Sequence, residues 1–203
     1  MTRRLACRAI SWAAGLLLLG ACASAPADRY FVLDAGTAGR AAVDLAFAGD
    51  LNVRVNGIPQ SADRPQIVVQ RGANELDVRD ADRWAEPLRG GLERCLIQDL
   101  RRALPGAWVS SEGLHRDPDP LRLVVEFTAL DALADGTVRL RADWTIVAHG
   151  NAARRTQSLS LTHRTDGSST AAIVAAWSDE LDELAQGIGR SVAAAPAAPG
   201  AAH

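Results

Sequence analysis

The side chains of this chain best suited to covalent or metal chemistry are the cysteines Cys7, Cys22 and Cys95 and the histidines His115, His149, His163 and His203. A zinc site needs several of these at short, regular spacing, and none of the histidines has that spacing to another histidine or to Cys95. A cysteine nucleophile needs a neighbouring base, and nothing near Cys95 supplies one. Arg89-Gly90-Gly91-Leu92 sets two glycines beside a basic residue, but inside a helical pattern, whereas a phosphate-binding loop follows a strand. These residues predict no catalytic centre, no metal and no cofactor.

Cys22 has a different context. Arg3, Arg4 and Arg8 precede an apolar run from Ala9 to Leu19, and Gly20 and Ala21 supply the small residues that a signal peptidase requires. Leu19-Gly20-Ala21-Cys22 resembles a bacterial lipobox, in which the cysteine thiol takes a diacylglyceryl group, cleavage falls before it, and the new amine is acylated. Residues 1–21 are then a signal peptide and Cys22 is the lipidated first residue of the mature chain. The competing reading is a plain signal peptide with a coincidental cysteine. The apolar run has eleven residues, well short of the roughly 20 that a spanning helix needs. One acyl chain holds a protein only marginally, whereas two or more give a stable anchor. Ala23 stands where an inner-membrane retention signal of the enterobacterial type places Asp, so by resemblance to that rule the anchor goes to the outer membrane.

The mature chain has 182 residues, enough for one hydrophobic core. Loss of the three leader arginines leaves 19 basic residues against 24 acidic ones, a net charge near −5, which argues against nucleic acid as a partner. Cys95 is then the one remaining thiol and sits in an apolar helical stripe, where a cysteine behaves as a small hydrophobe.

The elements that would position any site follow from periodicity. Residues 22–28 form a short tether, reaching about 20 Å when extended, and residues 29–192 form a single domain. Arg29 to Leu33 reads as a strand. Leu51, Val53 and Val55 alternate with polar residues before Pro59. Ile67–Arg71 and Glu75–Val78 flank Gly72-Ala73-Asn74 as a hairpin. Trp84, Leu88, Leu92, Cys95, Leu96, Leu100 and Leu104 trace a helical stripe, with a turn expected over Asp82–Glu86 and a regular helix over Pro87–Leu104. Ala107–Ser110 predicts a short strand, and Leu121–Thr128 and Val138–Val147 a hairpin about Asp135-Gly136. Thr156–His163 predicts a further strand, and residues 169–192 a final helix capped by Ser168, Ser169 or Thr170. The expected fold is α/β of an α+β-like kind: two halves, each strands then a helix, giving two helices on a mostly antiparallel sheet. Residues 193–203, rich in Ala, Pro and Gly, are expected to be a disordered tail.

Two segments carry more than periodicity. In Asp63-Arg64-Pro65-Gln66-Ile67-Val68-Val69-Gln70-Arg71, Pro65 fixes its own backbone and favours an extended Arg64. In Asp82-Arg83-Trp84-Ala85-Glu86-Pro87-Leu88, a large amphipathic ring precedes a helix start. Arg64, Pro65, Gln66 and Arg71 are candidate partner-binding residues, and Arg83, Trp84, Glu86, Pro87 and Leu88 a structural motif. The bland alternative is that the whole set ties down a turn over the core.

These two segments, with Tyr30-Phe31-Val32-Leu33, closely resemble the ABC-type transport auxiliary lipoprotein family, the PqiC-like lipoproteins. The resemblance runs from Cys22 to about Val192. It departs at Gln60-Ser61-Ala62, where the family often has an aromatic-leucine pair. The resemblance implies an outer-membrane lipoprotein that serves a transport system moving phospholipid or a similar apolar molecule between two membranes. Its implied partner is the protein with the mammalian-cell-entry domain, and a second copy of the chain is another candidate partner. A lipid carrier and an outer-membrane assembly factor are the rival functions.

Overall fold

The computed structural model describes residues 27–36, 45–114, 116–148 and 154–194. The signal peptide, Cys22, His115, His149, His203 and the tail from residue 195 lie outside the described residues.

The chain order is β1 (Arg29–Phe31), β2 (Gly49–Gly57), β3 (Gln66–Gly72), β4 (Glu75–Trp84), α1 (Leu88–Ala103), β5 (Ala107–Ser111), β6 (Leu121–Ala132), β7 (Thr137–Val147), β8 (Arg154–Arg164) and α2 (Thr170–Ala193). Five strands form one sheet in the order β5-β2-β6-β7-β8, and three form a second in the order β1-β4-β3. A bridge from Gln70 to Leu133 joins them, with the Ala134 N–H donating to the Gln70 carbonyl at 3.0 Å.

The fold is α/β, with two helices on a mixed sheet. Of the strand pairings described, β1–β4, β2–β5 and β2–β6 are parallel, and β3–β4, β6–β7 and β7–β8 antiparallel. The expectation of a mostly antiparallel sheet is therefore refined. The hairpins are local and announce themselves through turns. The parallel pairs need long crossovers that leave no signal in short windows.

The β6–β7 turn falls at Asp135-Gly136. The Asp135 carboxylate accepts from the Thr137 N–H at 2.9 Å, and Gly136 has φ +84°. A Cβ there would stand 3.0 Å from the Gly167 carbonyl oxygen, so glycine meets two requirements at one position.

Leu51, Val53 and Val55 on β2, Leu123 and Val125 on β6, and Leu140 and Ala142 on β7 are buried, and the apolar stripes of both helices fill the core with them. On α1 these are Leu88, Leu92, Cys95, Leu96 and Leu100, and on α2 Ile173, Trp177, Leu181, Leu184, Ile188 and Val192. The helices also touch each other: a Cβ on Gly189 of α2 would lie 3.5 Å from that of Ala103 and 2.9 Å from Leu45. Ser169 caps α2, accepting from the Ala172 N–H at 3.2 Å.

One expectation fails locally. Asp82 and Trp84 are the last part of β4, so the turn shrinks to Ala85–Glu86, and Pro87 occupies the N-cap of α1 with no side-chain cap. Asp82 is buried and satisfied by distant partners. Arg29 donates to it from Nε at 2.7 Å and from Nη2 at 2.8 Å. The Thr170 hydroxyl donates to Oδ2, the oxygen that Arg29 Nη2 also reaches. Arg79 then donates to Thr170 Oγ1 at 2.5 Å and to the Ser168 carbonyl at 2.8 Å.

Candidate functional site

The two motif segments meet in space. The Trp84 N–H donates to the Pro65 carbonyl at 2.8 Å, and the Ala85 N–H to the Phe31 carbonyl at 2.8 Å. Proline has no N–H to give, but its carbonyl is available, so Pro65 both stiffens the approach to β3 and fastens it to the end of β4. The preceding loop is closed by Pro59, whose carbonyl accepts from the Ala62 and Asp63 N–H groups at 2.9 and 3.1 Å. This is the Gln60-Ser61-Ala62 stretch.

Between Asp63–Pro65 on one side and Trp84–Leu88 on the other lies an open cleft of about 350 Å³. Trp84, Pro65, Pro87 and Leu88 give it an apolar floor. Its charges are mostly committed. Glu86 accepts from Arg94 Nη2 at 2.6 Å and Nε at 3.1 Å, and Arg94 also donates to the Leu33 carbonyl at 2.8 Å. That hydrogen bond to Glu86 outweighs partial burial and holds the guanidinium above its ordinary pKa. Gly91 leaves room for the carboxylate, since a Cβ there would stand 3.3 Å from Glu86 Oε1. Asp63 lies 3.7 Å from Arg89. The Arg64 N–H donates to the Ala62 carbonyl at 2.8 Å, while its exposed guanidinium has no hydrogen-bond or ion-pair partner among the described residues. The cleft therefore offers apolar surface beside one uncommitted cation, an arrangement for holding a group that pairs a hydrophobic side chain with a carboxylate or carbonyl.

The structure sorts the sequence candidates. Arg64, Pro65, Trp84, Glu86, Pro87 and Leu88 line this cleft. Gln66 is half-buried beside it, opposite Arg83 in the β3–β4 register. Arg83 Nε stands 3.4 Å from the Asp28 carboxylate. Arg71 is elsewhere: it ion-pairs with Asp77 at 3.1 Å across the hairpin, five residues or roughly 17 Å along β3 from Gln66. The Arg29–Asp82–Thr170 network has no counterpart in the sequence reading. Nothing local signals a bond between residues 53 and 88 positions apart.

No group of three or more His, Cys, Asp or Glu side chains suited to a metal occurs among the described residues. Two buried acids are strongly perturbed, both away from the cleft. Burial pushes the Glu180 carboxyl up to about 8, opposed by the His163 backbone N–H. Burial pushes Asp99 up to about 7, opposed by Arg102. Burial likewise raises the Cys95 thiol to about 11, and the thiol donates to the Leu33 carbonyl at 3.1 Å. Such a cysteine is packed and protonated, the opposite of a nucleophile.

Known proteins bear on the same region. The chain is 29% identical over 126 residues to the intermembrane transport lipoprotein PqiC of Escherichia coli, and equally to that of Shigella flexneri. The match covers 61% of this chain and spans 66% of the length of those curated relatives, just under two thirds. Among solved structures, a crystal structure of an uncharacterized protein superposes with a TM-score of 0.66 at 20% identity, covering 82% of this chain and 99% of the other. A Xanthomonas campestris protein superposes with a TM-score of 0.63 at 13% identity, covering 79% and 92%. These two share the fold. The model of the ABC-type transport auxiliary lipoprotein component matches residues 31–189, a span that contains β2 to β8, α1, most of α2 and every residue of the cleft, and the chain belongs to that family.

Proposed function

We propose that this protein is a non-enzymatic auxiliary lipoprotein of an intermembrane transport system, anchored through Cys22 to the periplasmic face of the outer membrane, and that it docks the system's mammalian-cell-entry-domain protein. Family membership and the likeness to transport lipoproteins support the general role. The observation that carries the docking assignment is the cleft where the two motif segments meet, with the Arg64 guanidinium unpaired at its rim. The lipid-carrier reading is less favoured, because a carrier needs an enclosed cavity of several hundred cubic ångströms. Between sheet and helices the space is occupied by fully buried Leu51, Leu92, Leu96, Leu123, Leu140 and Leu181.

Arg64→Ala combined with Gln66→Ala should weaken pull-down of the mammalian-cell-entry-domain protein several-fold while thermal stability stays near that of the parent. Neither side chain fills the core, so their loss removes directional donors without opening a cavity. Normal binding by the stable double variant would refute the cleft as the docking site. The anchor is tested by Cys22→Ala, which should abolish palmitate incorporation and leave either an uncleaved precursor or a soluble periplasmic form; label still incorporated would refute it.

A further inference from the structure

Five large apolar or aromatic side chains are exposed among the described residues: Tyr30, Val32, Leu76, Trp108 and Leu114. Tyr30 and Val32 stand apart because they are two residues from each other on the edge strand β1 and its continuation, 65% and 50% exposed. Phe31 and Leu33 alternate with them and turn inward, Phe31 opposite Trp84 in the parallel register and Leu33 buried. The core therefore takes one side of this segment and leaves the apolar side chains of the other in solvent.

The length of chain ahead of β1 determines what they face. Between Cys22 and Arg29 there are six residues, which span about 20 Å at most. A domain of this size has a radius of gyration of about 15 Å, hence a diameter near 40 Å. A tether half as long as the body is wide keeps the β1 side toward the membrane. The charges on that side cancel in pairs, Arg29 with Asp82 and Arg83 with Asp28, so the acidic net charge of the chain is not concentrated where it would be repelled by anionic lipid. A tyrosine is suited to such a place, its ring against the acyl boundary and its hydroxyl among headgroups.

We infer that Tyr30 and Val32 form the face on which the domain lies against the bilayer that holds its anchor, an inference that rests on lipidated Cys22 in the proposed function. The domain is then seated with β1 in the headgroup layer, and the cleft beside Trp84 opens close to the membrane surface.

The test uses the full lipidated chain in vesicles of phosphatidylethanolamine and phosphatidylglycerol, with a nitroxide label at Val32→Cys, at Tyr30→Cys as a second reporter, or at Trp108→Cys as a control. Trp108 follows the far end of α1, whose 16 residues separate that end from Leu88 by about 24 Å. Cys95 is buried and does not compete for label. Collision with a water-soluble nickel complex should be several-fold lower at positions 32 and 30 than at 108, and collision with oxygen higher. If mass spectrometry shows lipid on Cys22 while positions 30 and 32 stay as accessible to nickel as 108, the seating is overturned and the anchor stands. A chain without lipid on Cys22 overturns both.

Discussion

The rings of Trp84, at the end of β4, and Trp177, in the first third of α2, meet with centroids 5.9 Å apart and planes inclined by 34°. This tilted pair couples the floor of the cleft to the second helix, so the shape of the cleft depends on a residue 93 positions further along the chain. Trp177 is 5% exposed, and truncating a buried aromatic to Ala typically costs about 3–5 kcal/mol. Trp177→Ala should lower the denaturant midpoint by a corresponding amount with the m-value unchanged. A midpoint equal to the parent's would remove Trp177 from the core.

At the start of α2, two adjacent hydroxyls do different things. Ser169 caps the helix, worth about 1 kcal/mol, while Thr170 stands between Arg79 and the buried Asp82 carboxylate. Thr170→Val keeps the shape but leaves that carboxylate short of a donor, a loss of about 1–3 kcal/mol. Chemical denaturation should rank Thr170→Val as more damaging than Ser169→Ala. The reverse order would mean the network contributes little.

Glu180 is fully buried, with Glu183 on the same helix adding to the upward push and His163 Nδ1 3.6 Å away. Its carboxyl, ordinarily near 4.5, is raised to about 8 in the fold. Between those values the native state holds a proton that the unfolded chain has released, so stability is full below about 4.5 and falls as pH rises toward 8. Asp99 acts in the same direction over a lower window, from 3.8 to about 7. Glu180→Gln, neutral at every pH, should flatten the decline in melting temperature between pH 5 and 8. An unchanged slope would rule out Glu180 as its source.

Two glycines should respond oppositely to alanine. Gly136 combines φ +84° with a carbonyl oxygen 3.0 Å from any Cβ, so Gly136→Ala should cost about 1–3 kcal/mol. Gly90 is an exposed residue of α1 with nothing within 4 Å, so Gly90→Ala should stabilise by about 0.5–1 kcal/mol. Melting temperatures of the two variants that moved in the same direction would refute the comparison.

Both helices and the β6–β7 hairpin were legible because their information is local: a stripe repeating every three to four residues, an alternation of two, an Asp-Gly turn. The end of β4 was not. Asp80-Ala81-Asp82-Arg83 looks too polar for a strand, and Trp84 lies four positions before Leu88, which mimics a helical repeat. What makes the segment a strand is the ion pair of Asp82 with Arg29, the hydrogen bond from Thr170, and parallel pairing with β1. The site was legible to the same degree. Arg64, Pro65 and the Trp84–Leu88 run converge, but Arg71 lies too far along an extended strand and is held by Asp77.

The Arg29–Asp82–Thr170 network spans separations of 53 and 88 residues, and that spacing orders events in time. The β1 segment is made first, yet both groups that secure it, Asp82 and Thr170, come later in the chain. Contacts of such high sequence separation form late because the intervening loop must close first. Until Thr170 at the start of α2 has been added, β1 has no complete seat. The docking of α2 therefore completes the seat of the first strand, so the N-terminal end of the domain is closed by its C-terminal one.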